Sequence, residues 1–143
     1  MPSVPPPSAP RPSKPFRGIL VLVVGDDLSV LATTQQMLER LGALVRAAHN
    51  GEAAFRAAVI HRPHLILIDL DMPAMGRFEL ARRLRRDAQL GRVRLVSMAS
   101  PHDPAIMRGW SVEFDGKMNK PVTEPALVAL ARHVPGGRAS LAG

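Results

Sequence analysis

Two short stretches, Ile19-Leu20-Val21-Leu22-Val23-Val24 and His64-Leu65-Ile66-Leu67-Ile68-Asp69, narrow the fold more than any other feature of the chain. Each is apolar without alternation, so neither face of the strand it predicts is suited to water. Strands covered on both faces belong to parallel sheets with helices packed above and below. The segments between them supply those helices. Leu31, Thr34, Leu38 and Leu41 recur at helical spacing, and Gly42 provides a C-terminal stop. Ala43–Ala48 reads as a weaker strand, and Asn50-Gly51 turns the chain into an Ala-rich helix over 52–60. A helix over 77–87 buries Leu80, Ala81 and Leu84 and turns Arg82, Arg83, Arg85 and Arg86 outward. On that helix Glu79 is placed to pair with Arg82 and Arg83. Val93–Met98 is the expected fourth strand, with a short helix around 104–110 after it. Phe114–Met118 and Pro125–His133 complete the pattern as fifth strand and last helix. Five such alternations predict an α/β fold, a doubly wound (βα)5 parallel sheet in a single domain over 18–133.

The flanks carry a different composition. Residues 1–17 are proline-rich and predict a disordered or polyproline-like tail, and 134–143 predict a flexible, glycine-rich end. Only 22 of the 143 residues follow Pro121, so no separate output domain is expected in this span. The chain has no cysteine, which rules out disulfides and thiolate metal sites. The run at Ile19–Val24 is far short of the roughly 20 residues of a membrane span. It ends in Gly25-Asp26-Asp27 rather than a small-residue cleavage site, so it does not read as a signal peptide. A cytoplasmic protein without a membrane partner is the expectation. The formal charge of +7 raises the question of nucleic acid, but arginine bias from a GC-rich genome accounts for it equally well. Four Phe and one Trp offer little for base stacking, so nucleic acid is not expected as a partner.

In doubly wound sheets the functional crevice lies beyond the carboxyl ends of the strands. Three strands run out there in charged residues: the first at Gly25-Asp26-Asp27, the third at Asp69, and the fifth at Lys120-Pro121. Two converging carboxylates make a hard-oxygen site suited to Mg²⁺. A lysine opposite them can neutralise phosphoryl oxygens as a point charge. A carboxylate can also attack phosphorus and form an aspartyl phosphate.

The segments VLVVGDD, LILIDLDMP and DGKMNKP, in that order, resemble the signature segments of the receiver domains of bacterial response regulators. HNGEAAFRAA is similar to the receiver turn into its second helix, and the resemblance covers about 115 residues. It implies a flavodoxin-like, CheY-like fold and a role in two-component phosphorelay signalling rather than as an enzyme. By the same resemblance, Asp69 is the phosphoacceptor and Lys120 contacts the phosphoryl group. Asp26 and Asp69 would bind Mg²⁺ through their carboxylates, and Asp71 through its backbone carbonyl without need of its side chain. The implied partners are a histidine kinase or phosphotransfer protein and a downstream protein that the sequence does not name. The peptide bond before Pro121 is commonly cis in the family.

Four positions depart from the receiver pattern. Gly25 stands where an acid normally holds a metal-bound water, which implies weakened Mg²⁺ binding. Asp27 would replace it only by a one-residue shift, and its plainer role is the N-cap of the first helix. Gly76-Arg77 displaces the usual Asp-Gly. Ala99 occupies the place of the switching hydroxyl, with Ser100 able to serve only if the loop shifts. Lys117 replaces the aromatic switch residue. The alternative reading is therefore a pseudo-receiver that binds a protein partner without phosphorylation, for which Met107, Arg108, Trp110 and Val112 are the expected face.

Overall fold

A computed structural model of the chain describes residues 14–71, 77–100 and 114–134. Five strands, β1 (Leu20–Val24), β2 (Leu44–Ala48), β3 (Leu65–Asp69), β4 (Arg94–Ala99) and β5 (Gly116–Asn119), alternate with helices. These are α1 (Leu28–Arg40), α2 (Gly51–His61), α3 (Arg77–Arg86) and α4 (Glu124–Ala131). All strand pairs are parallel, in the order β2-β1-β3-β4-β5. The order reverses between β1 and β3, the crevice where such sheets place their sites. The α/β, doubly wound expectation is met in these elements. The expected helix at 104–110 and the face at Met107, Arg108, Trp110 and Val112 lie outside the described residues, as does Gly76.

The apolar runs form strands because both of their faces find cover. All five residues of β3 are buried. Side chains alternate across the sheet. Leu22, Val24, Ile66, Ile68 and Leu95 therefore pack with Ala54, Ala58, Leu80 and Leu84 on one side. Val21, Val23, Leu65, Leu67, Val96 and Met98 pack with Leu31, Leu38 and Leu127 on the other. Helix ends follow the local sequence. Asn50 caps α2 by accepting from the Ala53 N–H at 2.8 Å. Thr123 caps α4, which begins at Glu124, one residue before the expected Pro125. No helix among the described residues is long and apolar enough to cross a membrane.

Three details differ from the sequence reading. Folded structure starts before residue 18: Phe16 is wholly buried in the second core half, and its N–H donates to the Leu41 carbonyl at 2.9 Å. A lone aromatic among prolines gave no periodic signal. The fifth strand spans Gly116–Asn119 rather than 114–118, because the Asp115 carboxylate is spent on the Leu95 N–H, at 2.8 Å, and on Arg85. The arginines of α3 are less free than an outward face implies. Arg83 lies 4.1 Å over the Phe55 ring and pairs with Glu52 instead of Glu79, while Arg85 binds Asp115 and the Gly91 and Val93 carbonyls. Glu79 does approach Arg82, at 3.9 Å. Arg83 and Arg85 are thus tied to neighbouring elements, while Arg82 and Arg86 remain exposed.

Candidate phosphoryl-transfer site

The strand register brings the charged ends together. Val24 pairs with Ile68, Asp69 with Met98, and Ala99 with Asn119, so β1, β3, β4 and β5 finish at one edge. Asp69, the last residue of β3, is 2% exposed there. A buried carboxylate needs compensating donors. The Asp71 N–H donates to its Oδ1 at 2.8 Å, and Lys120 Nζ reaches Oδ1 at 3.1 Å and Oδ2 at 3.0 Å. Lys120 is placed by the end of β5, where its N–H donates to the Ala99 carbonyl and its bond to Pro121 is cis.

Asp71 contributes more than a main-chain group. Its Oδ2 accepts from Lys120 Nζ at 2.8 Å and from Ser100 Oγ at 3.0 Å. The family resemblance asks only for its main-chain carbonyl, and these bonds bring the side chain to the site as well. Leu70 and Asp71 lie in a turn just beyond β3, which the bond from the Asp71 N–H to Asp69 Oδ1 helps to close, so strand periodicity does not announce the return of this carboxylate to the site. Burial pushes the Asp71 carboxyl up, but bonds from Lys120 and Ser100 outweigh it and hold it below the usual carboxylate range. Burial likewise pushes Lys120 down, and its bonds to Asp71 and Asp69 more than reverse this, raising it above the ordinary lysine range. The ammonium form is therefore firmly held.

The remaining expected residues divide. Asp26 is exposed at the mouth of the edge. Asp27 Oδ1 accepts from the Ser29 and Val30 N–H groups at 2.9 and 3.2 Å, so its carboxylate serves as the N-cap of α1. Ser100 enters the site through Asp71. Ala99 ends β4 without a hydroxyl, and Ser97, two residues earlier, is buried with no hydrogen-bond partner for Oγ among the described residues. Lys117 lies within β5. A cleft of about 410 Å³ adjoins the edge, lined by Val30, Thr33, Met37, Ser100, Lys120 and Val122 among others.

Glycine at position 25 has a steric reason. A Cβ built there would lie 3.1 Å from Asp69 Cβ and 3.4 Å from Leu31 Cδ2. Both neighbours are buried, so neither yields easily. Gly25→Ala is expected to destabilise the fold by about 1–3 kcal/mol through overpacking. Urea unfolding of the two proteins measures this, and equal midpoints would mean that the edge has slack.

Comparison with known proteins places this geometry. Residues 21–132 match the response regulator receiver domain. The chain belongs to that family. This receiver is 41% identical over 78 residues to the virulence sensor protein BvgS of Bordetella pertussis, covering 54% of the chain and 6% of that protein. It is 30% identical over 118 residues to the phosphate regulon transcriptional regulatory protein PhoB of Pseudomonas aeruginosa, covering 82% of the chain and 52% of PhoB. The receiver therefore spans about half or less of the length of these two curated relatives. Its fold matches the chemotaxis protein CheY4 of Vibrio cholerae with a TM-score of 0.72 at 26% identity, covering 81% of this chain and 98% of that one. Receiver domains are modules of two-component signalling, and they generally bind Mg²⁺ at the phosphorylation site. The donors present here suit that ion. Mg²⁺ asks for one or two carboxylates, with water and phosphate oxygens completing its shell. Asp69 and Asp26 stand at the edge, although no cluster of three or more His, Cys, Asp or Glu that could hold a metal occurs among the described residues.

Proposed function

We propose that this receiver accepts a phosphoryl group on Asp69 from a phosphohistidine of a histidine kinase or phosphotransfer protein. The observation that carries the reading is the bond of Lys120 Nζ to both oxygens of a carboxylate that is 2% exposed. Asp69 Oδ1 already accepts from the Asp71 N–H as well, so Oδ2 carries fewer bonds and is the oxygen presented for attack. In the transfer an Asp69 oxygen forms the new O–P bond while the P–N bond to the donor imidazole breaks. The imidazole leaves with the electron pair of that bond. Lys120 neutralises the phosphoryl oxygens as charge spreads over them. Asp26 and Asp69, with the Asp71 carbonyl, are the groups proposed to hold Mg²⁺, whose charge would offset that of the phosphoryl group.

Phosphoryl uptake from acetyl phosphate is expected to require Mg²⁺ and to disappear when a chelator removes the ion. Intact mass measured with and without chelator tests this. Uptake that proceeds equally well in chelator would remove the metal from the account.

A second reading rests on the end of β4. Ala99 brings no hydroxyl to the edge, and Lys117 stands in β5 where the family carries an aromatic switch residue. A pseudo-receiver would bind its partner equally well as wild type and as Asp69→Asn. A partner that distinguishes the phosphorylated from the unphosphorylated form would exclude it.

A further inference from the structure

We propose that the Asp71 carboxylate is an internal competitor for the phosphoryl group, occupying the ammonium of Lys120 and the hydroxyl of Ser100 until it is displaced. The inference rests on the reading of Asp69 as acceptor and adds a control on that same site.

An ammonium has three donors. Lys120 Nζ contacts Asp69 Oδ1, Asp69 Oδ2 and Asp71 Oδ2, so its charge is shared between two carboxylates before any phosphoryl group arrives. A phosphoryl oxygen gains the full charge of Lys120 only when one of these carboxylates gives up its share. Asp69 is held at 2% exposure and also receives the Asp71 N–H, so it has little room to move. The Asp71 side chain is 29% exposed and faces the open edge, which makes it the acceptor free to swing away.

The contact to be broken is the shortest of the three, at 2.8 Å against 3.0 and 3.1 Å. Ser100 Oγ strengthens it by donating to the same oxygen at 3.0 Å. One carboxylate oxygen thereby collects a cation from the end of β5 and a hydroxyl from the end of β4. This is an arrangement a bound phosphoryl oxygen would also accept. Asp71 further places a second negative charge beside Asp69, and like charge at short range opposes the approach of an anion. Both effects lower uptake at rest.

The test uses beryllofluoride, a non-covalent phosphoryl mimic, titrated in the presence of Mg²⁺ into wild type, Asp71→Asn and Asp71→Ala by NMR. Asp71→Asn keeps the shape of the side chain without its charge, and Asp71→Ala removes the competing ligand altogether. Affinity is expected to rise in the order wild type, Asn, Ala, with at least a tenfold gain for Asp71→Ala. Equal affinities, weaker binding by the variants, or no binding by any of the three would overturn the proposal. Urea melts check that the variants remain folded. Covalent uptake by wild type from acetyl phosphate, measured in the same preparations, judges Asp69 separately. A wild type that is phosphorylated while Asp71→Ala gains no affinity would sink the competitor and leave the acceptor standing.

Discussion

Lys120→Met is expected to slow phosphoryl uptake by about 10²–10³-fold, the scale seen when one preorganised charge-stabilising donor is removed from a reacting centre. Among the described residues Lys120 is the one cation bonded to Asp69. Its side chain is 16% exposed, so water does not readily take its place. Methionine keeps the length and much of the stem packing but presents no charge to the phosphoryl oxygens. The effect should fall on the rate of mass gain from acetyl phosphate, with the fold intact. Lys120→Arg is expected to rescue only in part, because the planar guanidinium cannot place one compact charge against Asp69 and Asp71 together. Uptake by Lys120→Met at the wild-type rate would show that the lysine is a structural partner of Asp69 and nothing more.

Leu67→Ala should cost about 2–5 kcal/mol of stability, the range for truncating a fully buried leucine. Leu67 is wholly buried in β3, the middle strand of the sheet, and its neighbours in register are Val23 on β1 and Val96 on β4. A strand enclosed by two partners and by helices on both faces cannot collapse around a void without shifting those partners. Leu44→Ala provides the contrast. Leu44 lies on the outer strand β2 and is 69% exposed, so its truncation should stay within about 0.5 kcal/mol. Urea unfolding of the three proteins compares them directly. A loss below 1 kcal/mol for Leu67→Ala would mean that β3 is not the centre of the packing.

What could be read from the chain alone follows from where physical constraint is dense. β1 and β3 were legible because an apolar run without alternation has few stable settings other than a strand covered on both sides. The convergence of Asp69 and Lys120 followed from the rule for carboxyl ends of parallel strands, together with the order of the signature segments. The capping role of Asp27 was equally legible, since its position just before an apolar helical pattern is a local property. Other features depend on contacts between distant segments, and no local pattern announces them. Phe16 is buried because the chain folds back onto the end of α1, through its bond to Leu41. The spacing of Arg83 and Arg85 predicts a solvated face, yet Asp115, just before β5, and Glu52, on α2, capture them. The Asp71 carboxylate reaches Lys120 and Ser100 through a turn beyond β3, and neither partner is near it in sequence. Gly25 read as a loss of chemistry, and the space beside Asp69 adds a packing reason that no single position of the sequence could reveal.

The central claim is that Asp69 carries the phosphoryl group. Its most direct test is the intact mass of wild type and Asp69→Asn after incubation with acetyl phosphate and Mg²⁺. The account predicts a labile, phosphate-sized gain on wild type and none on Asp69→Asn. An equal gain on both proteins, or no gain on a folded wild type, would contradict it.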